Sequence, residues 1–74
     1  MNDLRGRVGR RIRDARLRSG LTQTELAKRI DVADAQISRW ENGKAMPAMT
    51  TLESIADALG VTAESFFVDN VFSR

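Results

Sequence analysis

An all-α fold, a compact bundle of five short helices, is what this 74-residue sequence predicts, and three observations predict it. Apolar residues recur at intervals of about three and four, the spacing that lines one face of a helix. Each periodic stretch ends at Gly or follows a residue suited to an N-cap. The connections are short, and short connections between helices build bundles rather than sheets. A chain of this length holds one small core, so tight packing, helped by a second copy, is expected. Residues 1–67 read as one domain and residues 68–74 as a C-terminal tail.

The first helix is predicted from Leu4 to Arg18. Leu4, Val8, Ile12 and Ala15 share its apolar face, and seven arginines fill much of the remainder. Gly6 and Gly9 weaken its beginning, and Gly20 suits the left-handed position that ends it. The second helix runs from Gln23 to Ile30. Thr22 is its N-cap and Glu25 the capping-box partner three residues on. Leu26 and Ile30 lie on one face with Ala27 beside them, and Asp31 occupies the following turn. The third helix runs from Asp34 to Asn42, with Ile37, Trp40 and Glu41 turned inward and Gly43 at its end. A loop from Lys44 to Met49 contains the single Pro. Thr50 or Thr51 is placed to cap a fourth helix ending at Leu59, whose apolar face is Leu52, Ile55, Ala56 and Leu59. Gly60 closes it. Thr62 is placed to cap a short fifth helix from Ala63 to Phe67.

Cys and His are both absent. Disulfides, thiolate metal sites and imidazole catalysis are therefore excluded, and neither an enzyme nor a bound metal or cofactor is expected. No apolar stretch approaches the roughly 20 residues that cross a bilayer. The Arg-rich start is not followed by the apolar core of a secretory signal, so a cytoplasmic protein is expected. Net charge is +2, unevenly held: residues 1–44 carry +5 and residues 45–74 carry −3. The first half would be drawn to phosphate and the second would not. Charge alone is equally satisfied by arginines that only solvate the first helix.

The stretch from Gln23 to Asn42 is more specific. Two helices joined by a turn of about three or four residues must cross steeply, with little room between them. Ala27 is small enough for that approach, and Leu26, Ile30, Val32, Ile37 and Trp40 sit where the crossed pair would share a core. Trp40 accordingly reads as core rather than as a base-stacking platform. Asp34, Ala35, Ser38 and Arg39 then project to one exposed side, a shape that fits a DNA major groove.

The run Leu21-Thr22-Gln23 and Glu25-Leu26-Ala27, followed by Ile37-Ser38-Arg39-Trp40-Glu41-Asn42-Gly43-Lys44, resembles the lambda-type phage repressor and Cro superfamily of Xre-type regulators. Thr51-Leu52, Ile55-Ala56 and Ala58-Leu59-Gly60-Val61 extend the likeness, which covers residues 8–67. The resemblance implies a sequence-specific transcriptional regulator, of repressor or restriction-modification controller type, with the third helix reading double-stranded DNA. It implies that Ala33, Asp34, Ala35, Ser38 and Arg39 face base edges. Arg39 is suited to bidentate pairing with guanine, and Ala35 to a thymine methyl. Gln23 matches the family Gln that touches phosphate and braces the recognition helix, and Asn42 and Lys44 match phosphate-holding positions. One or two of Arg7, Arg10, Arg11 and Arg13 would also reach phosphate, with Arg10 the candidate. Arg16 and Glu41 match a pair that joins the first helix to the third.

Two positions depart from the family pattern. Asp31 stands where Gly is usual in the turn, and Asp tolerates the left-handed conformation better than most residues. Ala33 stands where Ser or Thr usually caps the third helix. Asp34 would then either supply the cap or accept a hydrogen bond from cytosine. Phe66 and Phe67 are expected to close the core, which leaves Val71 and Phe72 without a partner. The expectation is a two-fold dimer through the fifth helix and tail, matched to half-sites about 34 Å apart on pseudo-palindromic DNA. The contrary expectation is a tail folded back on the domain. An antitoxin that grips a protein partner as well as DNA is the alternative function, and a surface that binds only protein is a third.

Overall fold

The computed structural model of the protein describes residues 3–68. They form α1 (Leu4–Arg18), α2 (Gln23–Ile30), α3 (Asp34–Glu41), α4 (Met49–Leu59) and a 3-10 turn (Ala63–Phe66), with no strand among the described residues. The all-α expectation holds and the count of five helices does not. Gly60 ends α4, and Phe66 must enter the core six residues later, which leaves room for a single tight turn. Thr62 Oγ1 accepts from the Ser65 N–H at 3.3 Å, and the Ser65 hydroxyl returns to the Thr62 carbonyl at 2.6 Å. The turn thus delivers Phe66, 1% exposed, onto α1 and α4.

Asp3 starts α1 by accepting from the Gly6 N–H at 2.9 Å, and that bond holds its carboxyl below the usual range, with the charge of Arg5 adding to it. Gly9 is a contact point rather than a weak one. A Cβ there would overlap the Trp40 carbonyl oxygen and stand 2.9 Å from that of Glu41, so only Gly lets α1 meet the end of α3. Thr22 and Glu25 form the capping box of α2 in both directions. Its far end turns at Asp31, the one non-glycine residue described with positive φ, at 62°.

Helix α3 stops at Glu41, with Asn42 as its C-cap, one residue short of the expected end. Asp34 does not cap it. Ala33 holds the extended N-cap conformation without a side-chain bond. Helix α4 begins at Met49 behind Ala48, so neither Thr50 nor Thr51 is its N-cap. Pro47 is buried, and the chain enters the helix directly beyond it.

Val8 and Ile12 of α1, Leu26 of α2, Ile37 of α3 and Leu52 and Ile55 of α4 are fully buried around Phe66. Trp40, 6% exposed, joins them. Burying each large apolar side chain contributes about 1.5–3 kcal/mol, against the entropy of ordering it.

Candidate nucleic-acid interface

Ile37, Trp40 and Glu41 turn α3 inward, and Ala33, Asp34, Ala35, Gln36 and Arg39 are left exposed. The Arg39 side chain makes no hydrogen bond or ion pair among the described residues, and its guanidinium is exposed. Ser38 is half-buried. Its hydroxyl and carbonyl both accept from the Asn42 amide, at 3.2 and 2.9 Å. Lys44 is exposed just past Gly43.

Behind this face lies a charged anchor. Arg16 Nε donates to Glu41 Oε2 at 2.6 Å and Arg16 Nη2 donates to Oε1 at 3.0 Å, a bidentate pair in which both residues are buried. The hydrogen bond to Glu41 pushes the Arg16 guanidinium above its usual range despite burial. Arg16 Nη1 also donates to the Leu21 carbonyl at 2.9 Å. The Gln23 amide adds a third bond to the same carboxylate, at 3.0 Å from Oε1. One carboxylate therefore ties α1, α2 and α3 together. The Gln23 side chain braces α3 from its C-terminal end, and the backbone N–H of Gln23 lies at the first turn of α2, where an anion is favoured.

At the other end of α3 the Thr24 hydroxyl donates to Asp34 Oδ2 at 2.6 Å. The recognition segment is thus held at both ends by side chains of α2. Its outward face combines donors on Gln36 and Arg39 with an acceptor on Asp34, the groups that base edges can pair with in a groove about 12 Å wide.

Arg10 lies on another part of α1. With Arg11, Asp14 and Arg18 it lines a cleft against Val61 and Phe66. Helix α1 meets α3 through Gly9, and Arg10 is turned about 100° from that line. The α1 arginine whose backbone lies beside the Gly43–Lys44 bend is Arg5, whose side chain is paired with Asp3 at 3.4 Å. Sequence reasoning passed over Arg5, Thr24 and Gln36. Helical spacing signals only Gln36, which falls three residues before Arg39 on one edge of the helix.

The helix-turn-helix family profile matches residues 12–66. This chain belongs to the helix-turn-helix family. It is 40% identical over 62 residues to an uncharacterized transcriptional regulator in the ATPase CF(0) region of Rhodospirillum rubrum, covering 84% of this chain and 57% of that protein. It is 34% identical over 70 residues to the control protein C.MunI of a Mycoplasma species, covering 93% and 95% of the two chains. Among solved structures it is similar to the biofilm master regulator SinR of Bacillus subtilis in complex with DNA. The TM-score is 0.78 at 27% identity, over 82% of this chain and 98% of that one. The matched residues include α2 and α3, which are joined by a short turn at Asp31.

Proposed function

We propose that this helix-turn-helix protein is a sequence-specific transcriptional regulator that lays α3 in the major groove of double-stranded DNA. The observation that carries this is the outward polar face of α3, held rigid by the buried Arg16–Glu41 pair and free of packing partners at Arg39. Regulators among its relatives, and a solved relative in complex with DNA, support the reading. The base-facing set is Ala33, Asp34, Ala35, Ser38 and Arg39, with Arg39 pairing to guanine. Lys44, the Asn42 region and the Gln23 backbone N–H hold phosphate. Such a protein acts by occupancy, in the cytoplasm, without catalysis or cofactor. No described helix is long and apolar enough to cross a membrane.

A homodimer on a pseudo-palindromic operator completes the reading. Val71 and Phe72, on which the expected interface rested, lie outside the described residues. Within them, a groove floored by Ala56, Val61 and Phe67 opens between α4 and the 3-10 turn, with exposed Met49 and the carboxylates of Glu53, Asp57 and Glu64 around it. Its apolar floor is the described surface on which a second copy would sit, with the surrounding carboxylates turned to solvent.

Fluorescence anisotropy on a selected site and on random duplex tests the assignment. Arg39→Ala is expected to cost about 1–3 kcal/mol on the selected site and to relax preference at one base pair. Lys44→Ala is expected to weaken all sequences evenly and to lower the salt slope by about one. Equal losses on both duplexes for Arg39→Ala would remove it from the base-reading set.

A further inference from the structure

Thr24 and Asp34 stand near the starts of the two crossed helices, and their exposed side chains meet at 2.6 Å. Thr24 has no part in the capping box of α2, which uses Thr22 and Glu25. Asp34 has a local alternative that it does not take. A carboxylate in this position can turn back onto the unpaired N–H groups of its own first turn, and α3 has no side-chain cap. The Thr24 hydroxyl instead draws the carboxylate toward α2. Asp34 makes no other side-chain hydrogen bond among the described residues, so on this exposed residue Oδ1 remains an acceptor with no donor function.

In the major groove, cytosine and adenine present amino donors, adenine's beside its N7 acceptor, where guanine and thymine present oxygen acceptors. A carboxylate fixed at one point therefore favours cytosine, accepts less well from adenine because N7 repels it, and repels guanine and thymine there. A carboxylate free to rotate could swing aside and would discriminate less.

We propose that Thr24 is a positioning residue for base discrimination: it holds Asp34 so that the free carboxylate oxygen reads the cytosine amino group at one base pair of each half-site. This rests on the reading that α3 lies in the major groove. A tether that only joined α2 to α3 would support the fold and leave base preference untouched, and the two roles separate by experiment.

Preferred sites are selected from a random duplex pool by the full chain and by Thr24→Val, Thr24→Ser and Asp34→Asn, each first shown to be folded by Trp40 fluorescence on melting. The wild-type pool is expected to favour cytosine at one position. Asp34→Asn should move that preference to adenine, with which an amide pairs bidentately. Thr24→Val should flatten the cytosine preference by roughly fivefold or more while the Arg39-dependent position keeps its guanine, and Thr24→Ser should restore it. The proposal is overturned if Thr24→Val leaves the cytosine preference intact, or erodes every position together. It is also overturned, with DNA reading intact, if the wild type selects at the Arg39 position and is indifferent at that of Asp34. A wild-type pool with no enriched sequence overturns the DNA-binding reading and this inference with it.

Discussion

Glu41 is a buried carboxylate in a domain with little stability to spare. At typical values per residue, 74 residues give a net folding free energy of about 4–11 kcal/mol. Three side-chain hydrogen bonds, two from Arg16 and one from Gln23, stabilise the charge. Removing one partner strands the other, at a cost of about 3–5 kcal/mol. Glu41→Ala and Arg16→Ala should each populate the unfolded state substantially at room temperature, seen in Trp40 fluorescence against urea. The double mutant should lose much less than the sum of the two, and a cycle showing no coupling would contradict the buried pair. Gly9→Ala belongs to the same scale. Its methyl has no room against the α3 backbone, so the helices must part, at about 1–3 kcal/mol or more. Asp3 acts at the surface. Its carboxyl is held low by the Gly6 N–H, so the cap is whole above the ordinary carboxyl range and is lost as pH falls through the depressed value. Faster amide exchange at Gly6 in Asp3→Ala, and its approach to wild type in strong acid, would check this.

Helix ends decide what can be improved, because two of the four α-helix N-caps make no side-chain hydrogen bond. Asp3 and Thr22 cap with side chains, whereas Ala33 and Ala48 do not. Ala48 already holds the extended conformation that a cap requires. Ala48→Ser should stabilise the domain by about 1 kcal/mol in thermal melts, with DNA affinity unchanged. Asp31 closes α2 in the left-handed conformation and sets a negative charge at the negative end of the helix. Asp31→Gly should therefore gain about 0.5–1 kcal/mol. These ends also show how far the sequence could be read. Periodicity and the Thr22–Glu25 capping box located α1 and α2 as the structure has them, because those signals are local. The start of α4 was misplaced because buried Pro47 and the path of the loop set it, while Thr50 and Thr51 only look like caps. The 3-10 turn is not distinguishable from a helix in the sequence, because Thr62 caps both alike. At the site, outward projection from α3 was legible from spacing alone. The bonds from Gln23 to Glu41 and from Thr24 to Asp34 were not, since they depend on how two helices cross.

Charge is divided unevenly along the chain. Residues 45–68 hold Glu53, Asp57 and Glu64 and no Lys or Arg, while the basic residues lie on α1, α2, α3 and the Lys44 bend. The domain measures 34 × 25 × 20 Å, and charges are screened beyond about 8 Å at physiological salt. Asp57 shares a cleft with Arg29 of α2, so the acidic residues of α4 act on the basic surface only locally. Few phosphates can be neutralised by one such domain. Each contributes about −0.9 to the slope of log affinity against log salt, so a lone domain on a half-site should show a shallow slope and weak binding. A dimer spanning two half-sites doubles the phosphate contacts and should double the slope. The comparison is made by anisotropy on half-site and full-site duplexes between 50 and 200 mM salt, roughly the range over which counterion release dominates. Equal slopes on the two duplexes, with a monomer in sedimentation at about micromolar concentration and above the full-site Kd, would show that each copy binds alone.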